Sequence, residues 1–72
     1  MKKIEEILKK NFVRLKKEKI NDKTDLIKSA LIDSLELVKL LTILEKKYNF
    51  NLKSYQKKYK NFIVKNLDNF IK

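Results

Sequence analysis

Hydrophobic residues follow a helical period at the start of this chain. The apolar positions are separated by three or four residues, and lysines and glutamates fill the places between them. This spacing predicts a first amphipathic helix from about residue 2 to residue 17. Its apolar stripe consists of Ile4, Ile7, Leu8, Phe12 and Leu15.

The next segment, residues 18–32, has a weaker period and many residues that favour turns. Asparagine, aspartate and threonine occur at positions 21, 22, 24 and 25, where Asp22 and Asp25 are suited to cap turns of the loop. We therefore expect a long loop, which is unusual in a compact domain and is often functional. The loop should be anchored by its apolar residues Ile20, Leu26, Ile27 and Leu31.

The helical period returns after the loop. A second helix is predicted from about Ser34 to Tyr48, begun by a cap at Asp33 or Ser34 and ended by the asparagines at 49 and 51. One or two helical turns are expected over residues 53–59, and a final helix over about 62–71. The predicted fold is all-α: a small four-helix bundle with three main helices, a short third helix and a long loop between helices one and two. We expect residues 1–72 to form one domain.

The second helix carries more apolar residues than one buried stripe requires. Leu37, Leu40, Leu41, Leu44 and Tyr48 give a core face at the expected spacing. A second stripe, which begins beside Ser34, cannot also be fully buried in so small a domain unless the loop folds over it. The alternatives are therefore a docking surface or extra core residues, and the stripe consists of Leu35, Val38 and Thr42.

Composition restricts the chemistry of this chain. It contains no cysteine and no histidine, which excludes disulfides, a thiol nucleophile, an ordinary zinc site and the usual general base. Any catalysis by the polypeptide alone would therefore have to come from carboxylates, lysines or hydroxyls, and we expect no metal site. Glycine and proline are also absent, so asparagine or aspartate should occupy positions with positive φ. Its start does not resemble a signal peptide and no apolar run has membrane-spanning length, so we expect a soluble cytoplasmic protein.

The formal charge of +10 favours an anionic partner such as nucleic acid, a membrane surface or an acidic protein. Eighteen of the 19 basic residues are lysines, and Arg14 is the only arginine. A coding sequence rich in adenine and thymine would produce the same bias. Because arginine is the better ligand for phosphates and base edges, its scarcity disfavours specific recognition of nucleic acid. A small basic helical module that binds nucleic acid or an anionic surface remains the alternative function.

One short segment has the character of a modification site. Asp33 and Ser34 stand at the opening of the most apolar helix, where a hydroxyl is accessible. The stretch from Leu31 to Val38 resembles the attachment motif of the acyl and peptidyl carrier proteins, and the resemblance extends from about residue 26 to residue 71. The run from Ser29 to Ser34 is similar to the Ser-Gly-x-x-Asp-Ser form of aminoacyl and D-alanyl carriers, with Ala30 in the place of glycine.

The resemblance implies that Ser34 carries a covalent 4'-phosphopantetheine arm, attached by a phosphopantetheinyl transferase. The thiol of the arm would hold an acyl or aminoacyl thioester, received from a loading ligase and delivered to a downstream transferase or synthase. Asp33 would orient the serine or contact the metal site of the transferase. The carrier would be a monomer and would not itself be an enzyme, because its reactive group is the thiol of the arm. The residues expected at the docking surface are Leu35, Glu36, Val38, Lys39, Thr42 and Glu45.

The chain departs from this family in its charge. Members usually present acidic residues on helix two, whereas this helix has Lys39, Lys46 and Lys47 there, with Glu36 and Glu45 as the matching acids. We expect either partners with more acidic docking patches or docking that depends mostly on the apolar stripe, in a specialised biosynthetic pathway. Two plainer interpretations stay open, namely an ordinary helix cap at Asp33-Ser34 and an unmodified interaction adaptor.

Overall fold

The computed structural model describes residues 3–71. These residues form a small, mostly helical domain with four α-helices: α1 (Lys3–Asn11), α2 (Ser34–Tyr48), α3 (Leu52–Lys58) and α4 (Val64–Phe70). A short 3-10 helix, Val13–Leu15, follows α1. Within the described residues the only β-pairing is an isolated antiparallel bridge between Asp25 and Ile63.

Helix α1 is shorter than the pattern predicted. It ends at Asn11 instead of residue 17, and the predicted start at residue 2 lies outside the described residues. The Asn11 side chain donates to the Ile7 carbonyl (2.8 Å), and Phe12 takes an extended conformation with φ −123° and ψ 98°. Phe12 and Leu15 are nevertheless both buried, because residues three apart align on one side of a 3-10 turn. The predicted apolar positions are therefore buried, but they are divided between an α-helix and a 3-10 helix.

Helix α2 has the predicted bounds. It starts at Ser34 and ends at Tyr48, and the asparagine at position 49 adopts the left-handed conformation with φ 56° that glycine usually provides. The Asn49 and Phe50 amides donate back to the Leu44 carbonyl, which satisfies the last turn. On the predicted core face Leu40 and Leu44 are fully buried, and the partly buried residues that pack beside them are Leu37, Leu41 and Tyr48.

The long loop before α2 is confirmed, and it is held by its own turns. The Asp25 carboxylate accepts hydrogen bonds from the Ile27 and Lys28 amides, both at 3.0 Å, as expected for a loop cap. The prediction for Ile27 was wrong, because its side chain is 39% exposed, whereas Ile32 is buried in the core. The prediction that only asparagine or aspartate would take positive φ was also wrong: Ala30 has φ 59°.

The loop is bound to the C-terminal part of the chain. The Leu26 amide donates to the Phe62 carbonyl (3.0 Å), and the Val64 amide donates to the Thr24 carbonyl (2.9 Å). Ile63 is therefore extended, with φ −73° and ψ 135°, so α4 begins two residues later than predicted. Helix α4 also packs against α1, where the Asp68 carboxylate accepts the Ile4 amide at 2.8 Å.

The short third helix is confirmed and lies over an aromatic cluster. Asn51 caps α3 by accepting the Ser54 amide (3.0 Å). Tyr55 is fully buried among aromatic rings, stacked on Phe62 and edge-on to Phe70, and its hydroxyl donates to the Asn61 carbonyl (2.7 Å). Burial raises the pKa of Tyr55, so its hydroxyl stays protonated and can donate at neutral pH. Tyr55 therefore serves packing.

Candidate functional site

Ser34 is the first residue of α2, and its side chain is exposed. The preceding residue, Asp33, accepts the Glu36 amide (2.8 Å), and the Glu36 carboxylate accepts the Asp33 amide in return (3.1 Å). This reciprocal pair is a capping box, which satisfies two donors at the helix start. The cap is therefore Asp33, and the Ser34 hydroxyl is not needed for it.

Arg14 connects the start of α2 to the loop and to the 3-10 helix. Its guanidinium forms an ion pair with the Glu36 carboxylate and donates a second hydrogen bond to the Leu31 carbonyl (3.1 Å). Two hydrogen bonds hold the pKa of Glu36 below its usual range. The larger effect comes from Arg14 and the smaller from the Asp33 amide. The hydrogen bond between Arg14 and Glu36 also raises the pKa of Arg14. One side chain thus joins the 3-10 helix, the loop and α2 immediately beside Ser34.

Two open recesses border Ser34. The first, of about 510 Å³, is lined by the loop and by the charged groups of Arg14, Asp33 and Glu36. The second, of about 330 Å³, has an apolar floor that includes Leu37 and Phe62. Lys28 and Lys60 stand at this second recess, and Ile27 lines both. A group attached to the Ser34 hydroxyl would therefore have space on two sides.

The second apolar stripe of α2 is exposed to solvent. Leu35 is 81% exposed and Val38 is 61% exposed, so neither is a core residue. Thr42 continues the stripe, and its hydroxyl donates to the Val38 carbonyl (2.9 Å). The alternative in which the loop folds over these residues is thereby excluded. They form a continuous apolar line that starts next to Ser34.

Charged residues flank this stripe. Lys39 is exposed, and its ammonium lies 5.1 Å from the centre of the Phe12 ring, in cation–π contact. Glu45, Lys46 and Lys47 are also exposed. Glu36, by contrast, is half-buried and already engaged by Arg14 and the helix cap. Lysines and Glu45 therefore supply the free charge on this helix.

The structure brings most of the sequence-predicted site residues together at one end of α2. Asp33, Ser34 and Glu36 are adjacent there, while Glu45 lies near the far end of the helix. Sequence reasoning missed the roles of Arg14 and of the recess residue Phe62. Arg14 offered one signal, since it is the only arginine and a guanidinium can bind two acceptors at once, here the Glu36 carboxylate and the Leu31 carbonyl.

Neither a metal-binding group among the described residues nor a similar known protein helps to interpret this site. Among residues 3–71 no group of acidic side chains is arranged to hold a metal ion, and no described helix combines the length and apolar character needed to cross a bilayer. No protein-family model matches the chain, and no curated protein or solved structure is significantly similar to it. The features that point to a function are therefore the geometry around Ser34 and the sequence resemblance.

Proposed function

We propose that this protein is a phosphopantetheine-dependent carrier that holds an acyl or aminoacyl group as a thioester and delivers it to partner enzymes. The observation that carries the proposal is the exposed Ser34 hydroxyl at the start of α2, which is freed from capping by Asp33. A fixed helix start presents a nucleophile to another enzyme in a defined orientation. The four helices and the long loop agree with the arrangement that the resemblance implies.

The surroundings of Ser34 fit the arm. In the attachment step the Ser34 Oγ forms a bond to the β-phosphorus of coenzyme A, and the bond from that phosphorus to the departing adenosine bisphosphate breaks. The hydroxyl proton passes to a base of the transferase, whose magnesium stabilises the charge. The bound arm supplies the thiol that the cysteine-free polypeptide lacks. The recesses beside Ser34 leave room for the arm, and Lys28 and Lys60 place positive charge near its phosphate.

The stripe of α2 supports docking in this proposal. Partner enzymes must approach Ser34 closely, and Leu35 and Val38 are exposed apolar side chains within about one turn of it on the same helix. We assign Glu36, Lys39, Thr42 and Glu45 to the edges of the same docking surface, with Glu36 also holding the helix start. The partners are the phosphopantetheinyl transferase, a loading ligase and a downstream transferase or synthase of a specialised pathway. The carrier acts as a cytoplasmic monomer.

Intact-mass spectrometry tests this function. The protein is incubated with coenzyme A, magnesium and a broad-specificity phosphopantetheinyl transferase. We expect a gain of one phosphopantetheinyl group on the wild type and on Ser54→Ala, whose exposed serine lies on α3, and no gain on Ser34→Ala. An unmodified wild type, or equal modification of Ser34→Ala, would contradict the proposal.

The second candidate is a basic helical module that binds nucleic acid, and the charge of +10 favours it. Its best phosphate ligand, Arg14, is however paired with Glu36. Affinity for DNA that falls steeply with salt and is unaffected by Ser34→Ala, together with no phosphopantetheine transfer, would support this candidate over the carrier.

A further inference from the structure

The large hydrophobic side chains that the described residues expose lie on the first turns of α2, in the loop before it and on the 3-10 helix that contacts it. They are Val13, Ile27, Leu35 and Val38, and we call them the docking patch. Leu35 and Val38 are one helical turn apart, and Ile27 lines both recesses beside Ser34. Exposed apolar side chains scattered over a surface need no explanation, but a group around one feature marks an interaction site.

Val13 belongs to the same end of the molecule. It lies between two residues that both contact α2: the Phe12 ring under the Lys39 ammonium, and Arg14 in its ion pair with Glu36. Val13 is 76% exposed, although its neighbours Phe12 and Leu15 are in or near the core. The docking patch therefore includes an exposed apolar side chain on the 3-10 helix, which contacts α2 through the residues on either side of Val13.

Positive charge surrounds the docking patch. Lys39 lies one turn of α2 after Leu35, and Lys46 lies one turn after Thr42. Both lysines therefore border the apolar stripe. Lys28 adjoins Ile27 at the second recess. Three carboxylates line the recesses beside Ser34, and each has a partner: Glu36 pairs with Arg14, Asp33 accepts a helix amide, and Asp25 accepts the Ile27 and Lys28 amides.

The acids that remain near the docking patch lie at its margins. Glu45 is exposed near the end of α2, two turns beyond Val38, and Glu18 is exposed in the loop, close enough to Arg14 to raise its pKa. On α2 itself Lys39, Lys46 and Lys47 outnumber Glu45 among the exposed charged residues. An occupant of the patch therefore meets an apolar centre with a predominantly cationic edge.

Charge and shape decide between the possible occupants. A second copy of this chain would bring a similar cationic edge, and a net charge of +10, against the same patch. A membrane surface favours aromatic anchors, but every Phe and Tyr in the described residues is buried or half-buried, and the patch is aliphatic. An acidic protein surface with apolar side chains at its centre complements both properties.

We propose that the docking patch binds an acidic, amphipathic surface of a partner protein. That this partner is an enzyme of thioester chemistry rests on the proposed function, whereas its acidity follows from the charges around the patch. The charge of this partner surface is opposite to that of the basic docking partners that the family resemblance implies. Recognition would then combine burial of Leu35 and Val38 with attraction of Lys39 and Lys46 to carboxylates.

Two matched peptides test the proposal by NMR titration of the isotope-labelled full chain. Both are amphipathic helices with leucine on one face; the other face carries glutamate in the first peptide and lysine in the second. We expect the glutamate peptide to bind and to shift the amide signals of Leu35, Val38 and Lys39. Raising the salt from about 0.05 M to about 0.5 M should weaken this binding several-fold, because the Debye length shortens.

Variants of exposed residues locate the binding without disturbing the fold. Leu35→Gln combined with Val38→Gln should weaken binding by at least about tenfold, because most of the apolar area is lost. Lys39→Glu should weaken it about threefold to tenfold. Lys57→Glu, which makes the same change of charge on the exposed side of α3, should leave the affinity nearly unchanged.

Four results would overturn the proposal: equal binding of the two peptides, equal weakening by Lys39→Glu and Lys57→Glu, patch-dependent binding to phosphatidylglycerol vesicles in place of the peptide, or self-association through the patch. The proposed function and the acidic partner can be refuted independently of each other. Phosphopantetheine transfer without peptide binding would refute only the acidic partner, and peptide binding without transfer would refute only the carrier function. Ser34→Ala should bind the glutamate peptide like the wild type.

Discussion

Removal of the Asp33 side chain should loosen the helix start that presents Ser34. In Asp33→Ala the Glu36 amide loses the acceptor that now lies 2.8 Å away. Losing an N-cap of this kind costs about 1 kcal/mol of folding free energy and up to about 2 kcal/mol. For a domain of this size, 1 kcal/mol corresponds to a fall in Tm of about 4–8 °C. We therefore expect Asp33→Ala to lower Tm by about 4–16 °C.

Thermal unfolding followed by far-UV circular dichroism measures this effect, and Asp33→Asn is the matched control. Asparagine caps helices about as well as aspartate, so Asp33→Asn should stay within about 0.5 kcal/mol of the wild type. Equal losses in the two variants would refute the capping argument, as would a wild-type Tm for Asp33→Ala.

The same pair of variants separates two roles of Asp33. If Asp33 contacts the metal site of the transferase, Asp33→Asn should be modified more slowly at unchanged stability, because the amide keeps the cap but loses the charge. If Asp33 acts only as a cap, Asp33→Asn should be modified at the wild-type rate. Initial rates of mass gain, measured below the unfolding temperature of every variant, distinguish these outcomes.

Three further substitutions test separate parts of the structure. Ala30→Gly should raise stability in urea unfolding by about 0.5–1 kcal/mol, because relief of the left-handed conformation exceeds the entropy gained by the unfolded chain; a loss would contradict the positive φ. Because Arg14 lowers the pKa of Glu36, the contribution of Glu36 to stability is complete above its ordinary pKa of 4.5 and is lost at lower pH. The stability difference between wild type and Glu36→Gln, followed by denaturation across that range, should therefore shrink as pH falls, and a constant difference would argue against the ion pair. Tyr55→Phe should cost about 1–2 kcal/mol in thermal unfolding by removing the hydrogen bond to Asn61, whereas a neutral effect would show that water replaces it.

The elements that the sequence predicted well are those specified by neighbouring residues. The bounds of α2 follow from a cap at Asp33, a continuous apolar period and an asparagine that can adopt positive φ at position 49. Local patterns were sufficient for these bounds. The exposure of Leu35 and Val38 was left open between a docking surface and extra core residues, and the structure decides for exposure because the loop does not cover them.

The errors arose where distant residues determine the structure. Helix α1 ends early, with Phe12 and Leu15 turned into the core by a 3-10 helix, and periodicity alone does not distinguish the two helix types. Ile27 was expected to be buried, but the pairing of Leu26 with Phe62 fixes that part of the loop and leaves Ile27 outside. The contact between Arg14 and Glu36 spans 22 residues and has no local signature.

The pairing of the loop with residues 62–65 also has a consequence for synthesis of the protein. Ser34 leaves the ribosome well before Phe62 and Val64, yet the loop that leads to Ser34 is held by hydrogen bonds to those later residues. A nascent chain that ends before these residues contains Ser34, but the loop before it lacks these hydrogen bonds. Any modifying enzyme that recognises the folded surroundings must therefore act after residues 62–65 have been synthesised and have paired with the loop, and a product truncated before them would escape it.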